Sequence, residues 1–344
     1  MSCSRRSKTR SPTSRSSDTL DAVPPVRIAV IGAGSFGRNH LRVLRSHPQA
    51  QLTAVIDSNA DRAALASAEF GCSAVSSLDE LTGIVDAAVV AVPTSAHDTV
   101  ACQLLESGID VLVEKPIASD AASARRMVDT ARKHARILQV GHLERFNPAV
   151  IALRRITTTP LFFEIHRMSV FTPRSLDVDV VLDLMIHDVD IVLNLVGCPP
   201  EEIRAAGLRI LTDKVDIANV RLAFPTGCIA NLTASRVSTE RVRKLRVFQP
   251  SRYISLDYQR QDLLTFNVRD APDSDASKEI HCEAATVEKG EPLKLELEAF
   301  LQSVATRSPA PVTGEEGLAA LEVALDILAK IEEHTERVRE QLVR

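Results

Sequence analysis

Three side chains in this 344-residue chain have the types and spacing that proton transfer requires. Lys115 directly follows an apolar run, while Asp183 and His187 lie four residues apart in a stretch of helical periodicity, which places both on one helix face. A neutral imidazole can accept a hydroxyl proton, and an ammonium can stabilise the charge that develops on the oxygen. Each also has a simpler interpretation, because strand-end lysines are usually solvated and Asp/His pairs often serve only a helix surface.

A glycine motif, Gly32-Ala-Gly34-Ser35-Phe36-Gly37, lies between an apolar run and a helical pattern. In such a motif the first glycine permits a tight turn, the second admits a pyrophosphate close to the backbone, and the third allows close packing of helix on strand. The free N–H groups of the helix that follows attract phosphate. The motif therefore predicts dinucleotide binding, whereas a loop whose glycines serve only the turn is the alternative.

The expected cofactor is NAD, and NADP is less favoured. Asp57 ends the next apolar run, twenty residues after Gly37, where an acid accepts hydrogen bonds from the adenosine ribose hydroxyls. A carboxylate at this position repels a 2′-phosphate. Arg62, five residues on, weakens that preference.

The first half of the chain alternates continuous apolar runs with helical stretches, which predicts β–α–β units and a parallel sheet covered on both faces. Lys115, within Glu114-Lys115-Pro116, then falls at the carboxyl end of the sheet, where ligands bind. The predicted strands are residues 26–31, 52–56, 87–92, 111–113 and 137–140, and the predicted helices are 36–46, 96–107 and 118–134.

The second half has longer runs in which apolar and polar residues alternate, which is typical of a sheet with one buried and one open face. Residues 225–227 favour a hairpin turn, Gly197 a helix end, and Thr313-Gly-Glu-Glu316 a capping box. The predicted strands are 161–168, 203–211, 215–224, 228–235, 242–248 and 253–257, and the helices are 181–195, 291–306 and 314–338.

Composition excludes several classes of protein. The net charge is −4 with 3% aromatic residues and no tryptophan, which disfavours a nucleic-acid binder. No run approaches the roughly 18 apolar residues of a membrane span. The six cysteines are dispersed, so we expect free thiols in a cytoplasmic protein and neither a zinc cluster nor any other metal site. We expect a disordered Ser/Arg-rich tail at residues 1–25, a dinucleotide-binding domain at 26–145 and a substrate-binding and oligomerisation domain at 146–344.

The order of the glycine motif, Glu-Lys-Pro and Asp-x-x-x-His-Asp resembles the Gfo/Idh/MocA oxidoreductases over nearly all of residues 26–340. That resemblance implies an α/β fold, with an N-terminal Rossmann domain and a C-terminal α+β domain built on a large, mostly antiparallel sheet. It also implies NAD(P)-dependent oxidation or reduction of a sugar carbon. Lys115, Asp183 and His187 would then be catalytic, and the last two would also contact the sugar.

The same resemblance adds contacts to the cofactor. The loop of Pro93, Thr94 and His97 would lie along the nicotinamide, and Glu114 and Lys115 would border it at the sheet edge. For His97 we favour a ring that bonds helix-end backbone groups.

Further segments are similar to one branch of the family, which oxidises the 3-hydroxyl of UDP-N-acetylglucosamine to a 3-keto sugar. An aminotransferase then makes a 3-amino sugar for lipid A or other surface glycans. These segments are residues 140–148, 171–175 and the basic strand with Arg241, Arg243 and Arg246. Arg145 and Arg174 are the expected diphosphate ligands, because arginine forks match phosphate geometry, and Asn147 is an amide partner for the sugar. An ion pair with Glu144 or another neighbour at the hinge between the domains is the alternative for Arg145.

Two other functions remain open. The chain could oxidise another sugar or a cyclitol, or it could be a non-catalytic NAD(P) sensor, which would have no need of Lys115, Asp183 and His187. An open sheet face and the resemblance lead us to expect a homodimer or homotetramer that acts on a small molecule.

Overall fold

The computed structural model describes residues 24–172, 178–270 and 278–342. The predicted tail therefore lies almost wholly outside the described residues, as does Arg174. Two sheets organise the chain, one in each half.

The first sheet has six parallel strands in the order β3-β2-β1-β4-β5-β6. The order reverses between β1 and β4, so the glycine loop after β1 lies at the topological switch point where open α/β sheets bind ligands. The strands are β1 (Val26–Ile31), β2 (Ala50–Ile56), β3 (Ser73–Ala74), β4 (Ala87–Val90), β5 (Asp110–Glu114) and β6 (Leu138–Gly141). The helices on its faces are α1 (Ser35–Ser46), α2 (Ala60–Phe70), α3 (His97–Glu106) and α4 (Ala121–Lys133).

The second sheet has eight strands in the order β14-β13-β12-β11-β7-β10-β9-β8, and every pair is antiparallel except β7 with β10. One face carries the helices and the other is open. Its strands are β7 (Phe162–Met168), β8 (Glu202–Leu208), β9 (Ile217–Ala223), β10 (Ile229–Ser235), β11 (Val242–Gln249), β12 (Arg252–Asp257), β13 (Asp262–Asp270) and β14 (Lys278–Ala284). The helices of this half are α5 (Pro148–Ile156), α6 (Ile186–Val196), α7 (Pro292–Thr306) and α8 (Gly314–Leu342).

The last two helices join the halves. Leu297 and Phe300 of α7 are buried with residues of β1, and the N–H of Val140 donates to the carbonyl of Val312 just before α8 at 3.1 Å. The capping box at the start of α8 is present: Thr313 N–H donates to Glu316 Oε2 at 3.0 Å, and the Glu316 N–H donates to Thr313 Oγ1 at 3.2 Å. Because α7 and α8 pack beside the first sheet, the domain limits given above stay a proposal.

The two sheets confirm the predicted fold class. The turn at Gly227 (φ 83°) and the helix end at Gly197 (φ 82°) also lie where the sequence places them. The sequence patterns do not predict α2, α5, β3, β13 and β14. Helix α2 is alanine-rich and so shows little apolar contrast, and β14 is exposed throughout, which removes the alternation that marks a strand.

Candidate active site

The glycine loop leaves the start of α1 open to a phosphate. Gly32 has φ 99°, and a side chain there would overlap the carbonyl of Ala91, while one at Gly37 would overlap the carbonyl of Gly32. At Gly34 no described atom lies within 4 Å of an added methyl, and no side chain caps the helix there. The fold therefore requires glycine at 32 and 37, whereas glycine at 34 keeps space in front of free N–H groups, as a pyrophosphate needs.

Asp57 closes the other side of this loop. Its carboxylate accepts hydrogen bonds from the N–H groups of Ala33 and Asn59, both at 2.8 Å, and pairs with Arg62 at 2.9 Å. Burial raises the pKa of Asp57, but these bonds and the Arg62 charge outweigh it and hold the pKa below its usual range. The acid is thus ionised at the end of β2, beside the loop.

Lys115 and Asp183 join the two halves at the centre of the site. Lys115 follows β5, and its Nζ donates to the Asp183 carbonyl at 2.7 Å and to Asp183 Oδ1 at 3.1 Å. The Lys115–Pro116 peptide bond is cis. From the sequence, Asp183 could either orient His187 or hold a neighbouring hydroxyl; in the structure its carboxylate and its carbonyl both contact Lys115.

The helix that carries Asp183 and His187 begins with a π-helical turn, Val181–Met185, before α6. The turn is anchored outside the helix, where the N–H of Val180 donates to the carbonyl of Val215 at 2.9 Å. Such widened turns recur at functional sites because they redirect one or two side chains. Here the turn carries Asp183 towards β5, and His187 follows in the first turn of α6.

His187 is neutral in this setting. Burial, with the positive charge of Lys115, holds the pKa of His187 well below its usual range. Its Nδ1 is buried without a hydrogen-bond partner among the described residues. The His142 ring meets the His187 ring edge-on, with centroids 6.1 Å apart, and burial lowers the pKa of His142 to about 3. Both imidazoles are therefore uncharged at neutral pH, and each has one ring nitrogen that can accept a proton.

Glu114, the last residue of β5, pairs with His40 of α1. His40 Nε2 and Glu114 Oε1 are 2.7 Å apart. Burial raises the pKa of Glu114, but the His40 bond and the charges of His40 and Lys115 outweigh burial and hold the pKa below its usual range. Phe36, 59% exposed, projects from the start of α1 into the same space.

A cavity of about 250 Å³ brings these groups together. It contains candidate residues from both sheets and therefore lies between the two halves. Of the predicted site residues, it is lined by Phe36, Glu114, Lys115, Asp183 and His187; residues that the sequence analysis did not place there are Asn39, His40, Gly141, Leu143, Glu144, Arg167, Leu184, Arg243 and Leu293.

Arg145 does not reach this cavity. It is 9% exposed, and its guanidinium pairs with Asp190 on α6 at 3.2 Å and with Glu316 at the start of α8 at 2.6 Å. Burial raises the pKa of Asp190 to about 7. The ion pair holds the segment between the halves, as in the alternative given above for Arg145, but its partners are Asp190 and Glu316 and not Glu144.

Asn147 and His97 also serve the backbone. Asn147 Oδ1 accepts from the N–H of Ala149 at 3.1 Å and caps α5, and its Nδ2 donates to the Tyr258 carbonyl at 3.0 Å. The His97 ring nitrogens face the carbonyls of Val92 and Pro116, both at 3.0 Å. Neither side chain lines the cavity, which also holds for Pro93 and Thr94 in the adjacent loop.

The wall of the cavity contains a buried network of charged side chains that the sequence does not predict. Arg167 of β7 is 2% exposed and donates through Nε and Nη2 to Asp188, both at 2.8 Å, and through Nη1 to Glu144 at 2.9 Å. The Tyr258 hydroxyl donates to Asp188 at 3.1 Å, and the guanidinium of Arg167 lies 4.8 Å from the Tyr258 ring centroid. The alternation of β7 does not predict a buried Arg167, because an arginine at an inward position would be expected to face solvent. The only sequence feature that pointed to it is an acidic residue, Asp188, directly after His187.

The fold and this cavity define a class of protein, the dinucleotide-dependent dehydrogenases. Residues 26–142 match the family described as "Oxidoreductase family, NAD-binding Rossmann fold", and residues 156–249 match "GFO/IDH/MocA C-terminal domain". The chain belongs to the Gfo/Idh/MocA family of oxidoreductases, and it is an enzyme that uses a nicotinamide cofactor.

Relatives of the chain include sugar and cyclitol dehydrogenases. It is 37% identical to the UDP-N-acetylglucosamine 3-dehydrogenase of Acidithiobacillus ferrooxidans over 313 residues. The matched residues cover 91% of this chain and 99% of that protein. A solved structure of that enzyme has a TM-score of 0.84 at 36% identity, over 90% of this chain and 98% of that one. The inositol 2-dehydrogenase of Rhizobium meliloti is 25% identical over 318 residues, 87% of this chain and 94% of that protein. A levoglucosan dehydrogenase, solved with NADH and levoglucosan, shares the fold with a TM-score of 0.79 at 17% identity, over 90% of this chain and 98% of that one.

Within the described ranges, no helix is long and apolar enough to cross a membrane. No group of three or more His, Cys, Asp or Glu side chains in those ranges could hold a metal ion.

The glycine loop generates a prediction that separates fold from binding. Gly34→Ala should leave the melting temperature within error and weaken NAD binding about tenfold or more, because the added methyl meets only the bound pyrophosphate. Gly37→Ala should lower the melting temperature, since its methyl overlaps the Gly32 carbonyl. Calorimetric titration and thermal melts measure both, and equal destabilisation by the two variants would contradict this division.

His142 should make the protein sensitive to acid. Its pKa is near 6.5 when unfolded and about 3 when folded, so the unfolded state binds the proton first and stability falls progressively from pH 6.5 towards 3. His142→Phe should remove about 2 kcal/mol of the loss between pH 7 and 5. Urea unfolding at both pH values measures this, with His281→Phe on exposed β14 as the matched control. An unchanged pH dependence in His142→Phe would refute the assignment.

Proposed function

We propose that the protein oxidises the 3-hydroxyl of UDP-N-acetylglucosamine to the 3-keto sugar with NAD. The observation that carries this proposal is one cavity that holds Lys115, Asp183 and His187, in a chain alike over nearly its whole length to an enzyme of that name. We further propose that the product supplies an aminotransferase that makes a 3-amino sugar for lipid A or another surface glycan.

In the proposed reaction His187 is the base. Its imidazole is neutral, because burial and Lys115 disfavour a charge there, so it can accept the hydroxyl proton. The nicotinamide ring, when bound, accepts the hydride that leaves the sugar carbon. Lys115 stabilises the negative charge that develops on the substrate oxygen. Asp183 holds the Lys115 ammonium in place through its carbonyl and its carboxylate.

NAD is the proposed cofactor and NADP is not. The ionised Asp57 repels a 2′-phosphate at the end of β2. Arg62 is engaged by that carboxylate, which leaves it poorly placed to neutralise a second anion. We propose that the dinucleotide contacts Gly32, Gly34, Ser35, Phe36 and Gly37. The nicotinamide would lie beside Pro93, Thr94 and Glu114. His97 would hold the loop of Pro93 and Thr94 in position through the carbonyls of Val92 and Pro116.

The location and assembly are part of the same proposal. We place the protein in the cytoplasm, where its nicotinamide cofactor and a nucleotide sugar are available. The open face of the second sheet carries a row of rings, Phe162, Phe248, Tyr253 and Phe266, with successive centroids 5.8, 4.8 and 4.7 Å apart. A homodimer or homotetramer would bury this row of rings. A sedimentation experiment that gives the mass of a monomer would contradict the proposed assembly.

A substrate panel tests the proposed function. Purified protein with NAD and UDP-N-acetylglucosamine should generate NADH, and coupling to a 3-aminotransferase draws off the keto product where the equilibrium is unfavourable. UDP-glucose, N-acetylglucosamine and myo-inositol should react at least about tenfold less efficiently, because the first lacks the acetamido group and the others the nucleotide. Preference for myo-inositol would make the chain a cyclitol dehydrogenase, and no turnover with any sugar would favour the sensor.

Substitutions of the three proposed catalytic residues should lower hydride transfer to different extents. His187→Ala should lower single-turnover hydride transfer about 10²–10⁴-fold with unchanged NAD affinity, because the imidazole meets the sugar. Lys115→Met should also lower turnover. Asp183→Asn should be milder, because the Asp183 carbonyl still holds Nζ at 2.7 Å. His166→Ala on the open face of β7 is the matched control. Near-normal transfer by His187→Ala would remove it from the mechanism.

A further inference from the structure

Two arginines face each other across neighbouring strands under the cavity. In the register of β7 and β11, Arg167 lies opposite Arg243, and both side chains project from the face that carries the helices. Like charges placed directly opposite in a sheet repel each other and need anions nearby. The carboxylates near these strands therefore determine which of the two arginines is paired within the protein.

Arg167 takes the available carboxylates. Asp188 accepts hydrogen bonds from its Nε and Nη2, and Glu144 accepts a hydrogen bond from its Nη1 at 2.9 Å. Burial raises the pKa of Glu144, but the charge and hydrogen bond of Arg167, with smaller contributions from the Arg243 charge and the Asn147 hydrogen bond, hold it below its usual range. This carboxylate is therefore ionised, and its hydrogen bond goes to Arg167 and not to Arg243. The fork of Arg167 is thereby occupied on both sides.

Arg243 is left with an incomplete set of partners. Its Nη1 lies 3.8 Å from Glu144 Oε1, which is beyond hydrogen-bond reach, and its Nε is buried without a hydrogen-bond partner among the described residues. Burial and the charge of Arg167 hold the pKa of Arg243 below its usual range. The side chain is 32% exposed and lines the same cavity as Lys115 and His187. A guanidinium with spare donors in a substrate cavity is a site for an anion.

We propose that Arg243 binds the phosphate that the substrate carries on its anomeric carbon and so selects phosphorylated sugars over neutral ones. This inference rests on the proposed function, which sets the 3-hydroxyl against Lys115 and His187. In a hexose only two bonds separate carbon 1 from carbon 3, so a phosphate on carbon 1 and the reacting hydroxyl fit into one cavity. The cofactor phosphates are a poorer match for Arg243, because the glycine loop at the start of α1 provides for them.

The test compares three ligands in the full-length protein with NAD bound: UDP-N-acetylglucosamine, N-acetylglucosamine 1-phosphate and N-acetylglucosamine. Arg243→Gln should weaken binding of the two phosphorylated ligands about 10- to 100-fold, raise KM more than it lowers kcat, and leave the neutral sugar and NAD unaffected. Arg243→Lys should recover part of the loss, because it restores the charge without the fork. The melting temperature of Arg243→Gln should not fall, since the substitution relieves repulsion of Arg167.

The matched control is Arg246→Gln. Arg246 lies on the same strand, projects from the open face and pairs with Glu164 at 3.0 Å, so its loss changes net charge equally without touching the cavity. All three ligands should bind this variant as they bind the wild type.

Several outcomes would overturn the proposal. Equal loss of the neutral sugar would make Arg243 a sugar contact, loss of NAD affinity would make it a cofactor contact, and a lower melting temperature with uniform weakening would make it structural. Unchanged affinity for the 1-phosphate would remove it altogether. Wild-type protein that binds the 1-phosphate through Arg243 yet oxidises none of the three would support the anion site while refuting the proposed function.

Discussion

Burial of one guanidinium, that of Arg167, organises the part of the cavity that the second half of the chain forms. Arg167 is 2% exposed, and a charge so far from water is tolerated only where carboxylates and hydrogen bonds replace its hydration. Helix α6 must therefore dock with Asp188 over the sheet, and the turn after β6 must present Glu144. Once Asp188 is fixed, His187 beside it is directed to the cavity between the halves.

The Lys115–Asp183 contact extends that constraint to the first sheet. Lys115 belongs to the parallel sheet and Asp183 to the π-helical turn of the other half, 68 residues away. Through this bond the edge of the nucleotide sheet and the start of α6 share one position. Asp183 and His187 thus project from a helix, and Lys115 directly follows a strand, so secondary structure positions all three, which is the arrangement that precise chemistry favours.

Local sequence patterns predict much of the fold and part of the site. The strands and helices around the glycine loop, the helix end at Gly197 and the capping box at Thr313 depend on a few neighbouring residues, so their sequence signals survive in the structure. Lys115, Asp183 and His187 were placed together by motif order, and the cavity contains all three. The exposed strand β14 had no such signal, because a strand without a buried face has no apolar period.

By itself the sequence determined where most of the elements lie and which side chains of the motifs could do chemistry, because periodicity and motif spacing are local properties. Only the tertiary structure decided which charges meet. Both Arg145 and Arg243 are arginines of the predicted substrate segments, yet Arg145 contacts Asp190 and Glu316, whereas the carboxylates near Arg243 bind Arg167. Pairing of buried ions depends on the positions of several distant segments at once, and no single segment of the chain encodes it.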